Sequence, residues 1–320
     1  MKNLTLLVII SSLFASNCCW AETLETSSNK NKDAALDKNV ERPEARYVRI
    51  GHYQCYIEDG DFEKNLQTVI NGLELAKEAH LDIVSFPESM LTGYFDSEKR
   101  ARENSFTIDS PQIKKVLQKT SKYDVVFMVG FNELRGEKLY NTVVVIKKGK
   151  ILGKYAKAFP CFDYFEPGRE FPVFEEKGLK FGVIICADGG YIEPSRILML
   201  KGARLIFAPH YNYVSEPMEH NEMVKHDHVA RAVENGIYFV RANNYLKPGQ
   251  KSKGLRYDAL GYGDSYVINP LGTRVASAGL YNEYLMIYNF DLKLHPSPRS
   301  ESRVSAKALL DVFKEELEKK

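Results

Sequence analysis

The sequence predicts an α/β fold in layers, and three observations support this. Short apolar runs of strand length alternate with longer segments in which apolar residues recur at helical spacing. The composition is that of a folded globular protein, because 44% of the 320 residues are hydrophobic and 27% are charged. The chain has no internal repeat. Together these features indicate strands joined by helices and packed around one large core.

The first half of the chain carries this alternation from Tyr47 onward. Apolar runs bounded by polar or turn residues predict the strands, and longer mixed segments predict the helices. In order, the predicted elements are the strand Val48–Cys55, the helix Phe62–His80, the strand Ile83–Phe86, the helix Ile113–Lys122 and the strands Val125–Gly130, Asn141–Lys147 and Lys150–Tyr155. Lys148-Gly149 separates the last two strands, which are therefore predicted to form a hairpin.

The second half repeats a strand, turn and helix pattern. Phe181–Cys186 is a continuous apolar run, typical of a buried strand, and a glycine-rich turn follows it. The elements predicted after it are the helix Pro194–Gly202, the strand Arg204–Ala208, a polar helix at Met218–Asn235, the strand Ile237–Ala242, a type I turn at Asn269-Pro270-Leu271-Gly272, the strand Tyr284–Asp291 and an amphipathic helix at Val304–Lys319.

The N-terminal segment differs from the rest of the chain. Lys2 precedes the apolar run Leu4–Phe14, and small residues follow up to Ala21, as in a secretory signal peptide. The run is shorter than the roughly 20 residues that span a bilayer. We therefore expect cleavage before Glu22 and export to the periplasm or the medium. The alternatives are an anchoring helix without cleavage and a lipidated Cys18.

The domain organisation follows from these observations. We expect a signal peptide at residues 1–21 and a polar, disordered linker at 22–45, which has almost no large apolar residue to bury. One large domain spans 46–295, because no second linker interrupts it, and a C-terminal tail with a helix occupies 296–320.

Three cysteines remain after residue 22, namely Cys55, Cys161 and Cys186. An odd number in an exported protein leaves at least one thiol without an intramolecular partner. Whether Cys55 pairs with Cys161 depends on distances that the sequence does not give.

Three reactive side chains come directly after predicted strands, where open α/β sheets place their sites. Glu88 follows Ile83–Phe86, Lys157 follows the hairpin and enters an aromatic loop, and Cys186 ends Phe181–Cys186. Each residue alone has an ordinary interpretation as a solvated carboxylate, a surface lysine or a small buried hydrophobe. The prediction of a functional site therefore depends on the three residues together and not on any one of them.

With these three segments in their order, the chain resembles the nitrilase superfamily of carbon-nitrogen hydrolases from Tyr47 to Asp291. The other matching segments are Gln54, Asn65, Lys201-Gly202-Ala203, Arg231–Gly236, Val240–Asn243 and Asn269-Pro270-Leu271-Gly272. The resemblance implies an α-β-β-α sandwich as a single large domain, which commonly pairs into homodimers or larger homo-oligomers. It also implies a catalytic triad of Glu88, Lys157 and Cys186.

The implied chemistry agrees with the residue types. A thiol is mostly protonated near neutral pH, so Cys186 needs a nearby base and a cation to attack a carbonyl group. Glu88 is expected to accept the thiol proton and return it to the departing ammonia or amine. Lys157 and the backbone N–H of Ala187 are expected to stabilise the oxyanion, and the product of this half is a thioester on Cys186. This reaction needs no metal and no cofactor.

Many members of the superfamily also have a second glutamate between the lysine and a Pro-Gly turn. Asp163 lies four residues before Pro167 and is the preferred counterpart, as a supporting residue, with Glu166 as the alternative.

The residues after Cys186 bear on the substrate. Members that hydrolyse N-carbamoyl amino acids have arginines where this chain has Gly189 and Gly190, and nitrile-hydrolysing members have Trp-Glu in place of Ala187-Asp188. The run from Cys186 to Tyr191 resembles aliphatic amidases and formamidases. A small linear amide is therefore the expected substrate, a carbamoyl compound is the second candidate and a nitrile the third.

Other classes of function fit less well. Cys186 with His210 could form a Cys-His pair, but no papain-like signature surrounds the cysteine. Gly149–Lys154 lacks the spacing of a phosphate loop. The 44 basic and 42 acidic residues give a net charge of +2 without a basic, aromatic-rich run, which excludes nucleic acid as the expected partner. A catalytically inactive binding protein remains an alternative.

A group of potential metal ligands has the spacing of a polar helix face and of no zinc motif; it consists of His220, Glu222, His226 and His228.

Overall fold

The computed structural model describes residues 46–212, 217–246, 261–293, 311–312 and 314–319. The expected signal peptide, the possible lipidation site at Cys18, the linker and residues 304–310 of the predicted C-terminal helix lie outside the described residues. Residues 311–312 and 314–318 are helical. In the described ranges, no helix combines the length and the apolar character needed to cross a membrane.

Two six-stranded sheets form the centre of the described chain. In spatial order the first sheet contains β12 (Tyr284–Asp291), β1 (Tyr47–Gln54), β2 (Ile83–Ser85), β3 (Val126–Arg135), β4 (Lys138–Lys147) and β5 (Lys150–Ala156). The second sheet contains β11 (Arg274–Leu280), β10 (Gly263–Ile268), β9 (Tyr238–Ala242), β8 (Leu205–Pro209), β7 (Leu179–Val183) and β6 (Val173–Glu176). Each sheet has three central parallel strands, β1-β2-β3 or β7-β8-β9, and antiparallel strands at its edges.

Helices cover the outer face of each sheet. The helices are α1 (Phe62–Glu78), α2 (Glu98–Glu103), α3 (Pro111–Thr120), α4 (Ile192–Leu200) and α5 (Pro217–Asn235). Apolar residues of α1 and α3 pack with Phe127 of the first sheet and with Phe86 directly after β2, and residues of α4 and α5 pack with the second sheet. A shared core joins the sheets, where Ile50 and Met128 cluster with Phe207. The layers are therefore α-β-β-α, which confirms the predicted fold class.

Local sequence explains why these elements begin and turn where they do. Asp61 caps α1 by accepting a hydrogen bond from the Lys64 N–H at 3.1 Å, and Ser110 caps α3 in the same way. The predicted hairpin is confirmed between β4 and β5. Its two turn residues, Lys148 and Gly149, have φ of 48° and 69°, as a tight two-residue turn requires.

Several elements differ from the sequence prediction. β7 ends at Val183, so the last residues before Cys186 are extended chain outside the sheet. β10 did not appear as an apolar run because it contains Asp264 and Ser265. Both are buried and hydrogen-bonded, with the Ser265 hydroxyl bound to Gln54 Oε1 at 2.8 Å. β11 was not predicted from the sequence because most of its side chains are at least partly exposed, so it has no apolar run.

Candidate active site

Glu88 lies in the turn that follows β2, with its carboxylate fully buried. One oxygen, Oε1, accepts hydrogen bonds from Lys157 Nζ and Asn141 Nδ2, both at 2.7 Å. The other, Oε2, accepts the backbone N–H of Tyr211 at 2.9 Å. Burial raises the pKa of the Glu88 carboxyl, and the neighbouring Lys157 only partly offsets this. The result is a fixed carboxylate that accepts a proton more readily than an exposed glutamate.

Lys157 comes directly after β5, and only 1% of its surface is exposed. Its Nζ donates to Glu88 and lies 3.5 Å from the Sγ of Cys161. Burial alone lowers the pKa of a lysine, but here Glu88 and the thiols of Cys186 and Cys161 outweigh it and hold the pKa of Lys157 well above its usual value. Lys157 is therefore a permanent positive charge within the site.

Cys186 begins a short 3-10 turn, Cys186–Gly190, at the exit of the second sheet. Its φ is 47°, a left-handed conformation that costs a residue with a side chain about 1 kcal/mol or more. The residue is partly exposed and lines a cavity. The strained turn thus presents the sulfur toward the open side of the site.

Asp188 holds this turn in place, a role that the sequence analysis missed. Its carboxylate is buried and accepts the N–H of Ile185 at 2.9 Å, the N–H of Phe159 at 2.8 Å and the hydroxyl of Tyr155 at 2.7 Å. Because Phe159 follows Lys157 in the aromatic loop, Asp188 connects the loop of the lysine to the turn of the cysteine. Its position two residues after Cys186 was the available sequence signal.

Cys161 was also missed as a member of the site. Its side chain lies close to that of Cys186, and both thiols are near the charge of Lys157. This contact, with Lys157 nearby, lowers the pKa of Cys161 to about 4 and raises that of Cys186. All three described cysteines are free. Cys55 lies buried elsewhere, with its sulfur 3.7 Å from that of Met90, so the pairing left open by the sequence is not formed.

The preferred second carboxylate is not brought to the triad. Asp163 is exposed on the aromatic loop and does not line the cavity, and Glu166 forms an ion pair with Lys138 at 3.4 Å. The supporting role of Asp163 stays a prediction. Ala187, in contrast, lines the cavity beside Cys186, as expected for a residue near the reacting carbonyl.

The cavity over the thiols has a volume of about 550 Å³, within the range of small-molecule sites. Tyr94 and Tyr211 form part of its wall and stack with their ring centroids 5.3 Å apart. Polar groups on the wall include Asn212, His220 and Asp227. The site therefore offers a concave, partly apolar chamber that ends at Cys186.

The structure places His210 in the wall, but its contacts differ from those of a Cys-His pair. Its Nδ1 lies 2.6 Å from the carbonyl oxygen of Ala208, and its own carbonyl accepts the N–H of Glu88 at 3.2 Å. Burial lowers the pKa of His210 well below its usual value, so the ring is neutral. It supports the Glu88 turn through its backbone.

The predicted polar helix face is only partly correct. Glu222 and His226 are exposed, whereas His228 is buried and stacks on Phe239 with 4.4 Å between ring centroids. Within the described ranges, no three His, Cys, Asp or Glu side chains are grouped as metal ligands would be.

A family model described as carbon-nitrogen hydrolase matches residues 49–296. The chain is 30% identical to a protein named "Hydrolase in pqqF 5'region" from Pseudomonas protegens, with 80% of this chain and 87% of that protein covered. It is 28% identical to the N-carbamoylputrescine amidase of Solanum tuberosum, with 79% and 89% covered.

Two further matches are restricted, one to part of a longer relative and the other to the fold. The glutamine-dependent NAD(+) synthetase of Thermotoga maritima is 36% identical over 46% of this chain, but the chain spans only 27% of that enzyme. The solved structure of an amidase from Nesterenkonia sp. superposes with a TM-score of 0.63 at 20% identity, covering 77% of this chain and 91% of that one. At this identity the superposition supports the fold alone.

Proposed function

Because the chain belongs to the carbon-nitrogen hydrolase family, we propose that it hydrolyses linear amides through a thioester on Cys186. The observation that carries this proposal is the buried pair of Glu88 and Lys157, joined at 2.7 Å beside the thiols at the end of the cavity. Burying two charges is costly, and such a pair is less favourable for stability than apolar residues of similar size often are. A catalytic role explains why it is present.

The first half of the proposed reaction forms the thioester. Cys186 Sγ attacks the carbonyl carbon while its proton moves to Glu88, and the carbonyl oxygen becomes an oxyanion facing Lys157 and the N–H of Ala187. The C–N bond then breaks. Glu88 gives its proton to the leaving nitrogen, which departs as ammonia or an amine. The raised pKa of Glu88 suits this role, because the carboxyl must hold a proton between the two transfers.

The second half hydrolyses the thioester. Water enters the cavity, loses a proton to Glu88 and attacks the thioester carbon. The C–S bond breaks, the proton returns to Cys186 Sγ and the carboxylic acid leaves. Glu88 thus serves in both halves, whereas Lys157 acts whenever negative charge develops on oxygen.

The proposed substrate is a small linear amide. Gly189 and Gly190 supply no cation to hold a substrate carboxylate; Gly190 lines the cavity, whereas Gly189 packs against His228. A carbamoylated amine is the second candidate, favoured by the similarity to N-carbamoylputrescine amidases. A nitrile is the third, since one relative is named a nitrilase.

Variants of the triad test the mechanism. Cys186→Ala should abolish turnover. Glu88→Gln should acylate slowly and deacylate poorly, so that mass spectrometry detects an adduct on Cys186. Lys157→Ala should lose on the order of 10²- to 10³-fold in rate, the usual effect of removing one oxyanion donor. Labelling by iodoacetamide is best compared in a Cys161→Ser background, because the two thiols are in contact.

Glu133→Gln provides a matched control for Glu88→Gln. Glu133 is another buried carboxylate paired with a lysine, Lys154, but its other side-chain partners are Arg135 and Thr142 and not residues of the cavity wall. We expect it to affect stability and leave turnover of the folded protein near normal. Near-normal turnover by folded Glu88→Gln or Lys157→Ala would contradict the mechanism even if Cys186 proved essential.

A further inference from the structure

The charge of the cavity wall is negative away from the triad. Asp227, on α5, is the acidic residue among the described lining residues. The three histidines of the wall, His210, His220 and His228, have pKa values lowered by burial, so they are neutral at neutral pH. No described lysine or arginine lines the cavity. A substrate therefore meets one carboxylate and no compensating cation on this part of the wall.

The Asp227 carboxylate lies beside a residue that has no side chain. A Cβ atom placed on Gly190 would lie 3.6 Å from Asp227 Oδ2, at ordinary van der Waals distance. Any larger side chain at position 190 would therefore lie against this carboxylate. Glycine leaves it accessible from the cavity, close to the turn that carries Cys186.

Asp227 is also poorly neutralised by its protein neighbours. Within the described residues it has no ion pair or hydrogen bond of its own. Burial raises its pKa, and the charges of Arg231 and His226 offset this only in part. Arg231 is instead paired with Glu234 at 3.2 Å. A half-buried carboxylate in this situation gains more from an incoming cation than an exposed, already paired one does.

An aromatic ring lines the same cavity. Tyr191 follows Gly190 and stacks on Phe159 with 3.8 Å between ring centroids, so its position is fixed although half of its surface is exposed. A carboxylate and an aromatic ring together form the usual recognition elements for an organic ammonium group.

From this arrangement we propose that Asp227 selects amides whose tail ends in a protonated amine, holding the ammonium while the carbonyl carbon lies at Cys186. This inference rests on the proposed amide hydrolysis and specifies its substrate class. A cavity of about 550 Å³ accommodates a tail of several carbons between the two points. Amides with a carboxylate tail would be repelled by Asp227.

The test compares tails of similar size and different charge. The probes are δ-aminovaleramide, which ends in an ammonium, hexanamide, its uncharged isostere, and glutaramic acid, which ends in a carboxylate, together with shorter and longer members of each series. For the full chain we expect kcat/KM to be about tenfold or more higher for the ammonium series than for the uncharged series, the usual effect of one ionic hydrogen bond. The carboxylate series should be the poorest.

Asp227→Asn should reduce the ratio of ammonium to uncharged turnover toward one, and Asp227→Lys should favour the carboxylate series. Glu222→Gln is the matched control, because Glu222 lies on the same helix, is exposed and does not line the cavity. It removes the same charge and should keep the wild-type ratio. The inference would be overturned if wild type turned over the ammonium and uncharged series equally well. It would also be overturned if Asp227→Asn kept the wild-type ratio of ammonium to uncharged turnover.

A binding measurement separates this inference from the proposed reaction. Calorimetry on the Cys186→Ala variant reports the affinity for each probe without turnover. Tighter binding of the ammonium series that depends on Asp227 supports the inference whether or not the wild type hydrolyses these amides. Equal affinities, or no binding of the ammonium series, reject it, while hydrolysis of the uncharged amides would still support the proposed function.

Discussion

Single residues around the proposed triad hold its side chains in place. Asp188 connects the loop of Lys157 to the turn of Cys186 through two N–H groups and a hydroxyl. Asp188→Asn retains the shape but replaces one acceptor oxygen by a donor, so one buried N–H loses its partner. We expect a loss of about 1–3 kcal/mol in the free energy of unfolding.

Asp188→Asn should also slow the reaction of Cys186 in those molecules that remain folded. The readout is the rate of alkylation of Cys186 by iodoacetamide in the Cys161→Ser background, measured where the variant is fully folded by circular dichroism. Tyr155→Phe is the milder comparison, since it removes the hydroxyl donor alone. An alkylation rate equal to wild type in Asp188→Asn would mean that Asp188 stabilises the fold without positioning the thiol.

The pH dependence of turnover should reflect the environment of Glu88. Burial raises the pKa of this carboxyl, and the base must be ionised to accept the thiol proton. Because activity requires the carboxylate, kcat/KM falls as the pH decreases through the raised pKa. The acid limb should therefore have its midpoint above about 4.3, the value for an ordinary glutamate.

Two variants test whether the acid limb of kcat/KM reports the ionisation of Glu88. Asn141 donates to the Glu88 carboxylate and lowers its pKa, so Asn141→Leu should move the limb to higher pH. Cys161→Ser should move the limb the other way, to lower pH, because the charge of Cys161 raises the pKa of Glu88. An acid limb that Asn141→Leu leaves in place would mean that a group other than Glu88 is being observed.

At the scale of elements, the site forms where the parallel strands of the two sheets end. Glu88 follows β2 and Cys186 follows β7, while Tyr211 follows β8 and donates its N–H across to Glu88. The N–H of Glu88 in turn donates to the carbonyl of His210. These reciprocal bonds join the two sheets at Glu88, so the sandwich itself sets the position of the proposed base.

Strand β3 passes directly under the turn of Glu88, and Gly130 permits this close approach. A Cβ atom on Gly130 would lie 2.6 Å from the backbone nitrogen of Ser89 and 3.5 Å from the carbonyl carbon of Glu88. Because these are backbone atoms, Gly130→Ala must displace the turn. We expect it to cost about 1–3 kcal/mol in unfolding free energy and to reduce turnover of the folded protein.

Gly153→Ala on β5 is the control for this change. Its Cβ would first contact the ring of Phe174, a side chain that can shift, and it is not at the Glu88 turn. Urea denaturation and initial rates should show both variants destabilised, with turnover per folded molecule reduced for Gly130→Ala alone. Equal turnover in the two variants would argue against a role for β3 in placing Glu88.

At the scale of the whole molecule, the surface near α4 and α5 exposes several large apolar side chains. About half of each is accessible in Ile192, Met218 and Met223, the last of which also lines the cavity. Exposed apolar patches of this kind commonly mark interaction surfaces. The resemblance implies pairing of like subunits, and a second copy of this chain is the occupant we expect.

Light scattering after size exclusion tests this expectation. The protein should elute with at least the mass of a dimer, and Ile192→Lys should shift it toward the monomer. Leu271→Lys changes an exposed leucine on the turn between β10 and β11 and should leave the mass unaltered. A monomeric mass for wild type at micromolar concentration would contradict homo-oligomer formation.

The sequence by itself determined the order of most elements and the three residues of the proposed triad. Hydrophobic periodicity and turn residues are local properties, so they located the strands leading to Glu88, Lys157 and Cys186 without knowledge of the fold. They did not reveal β10 or β11, whose buried polar or exposed side chains conceal the strand pattern.

The tertiary structure alone decided which groups surround those three residues. The Tyr211 N–H is 123 positions from Glu88 in sequence, and Cys161 contacts Cys186 only because the aromatic loop folds over the turn. Asp227 lay in a helix predicted to be polar, and the structure turns it toward the cavity. Such contacts join distant segments through the packing of two sheets, and no local pattern encodes that packing.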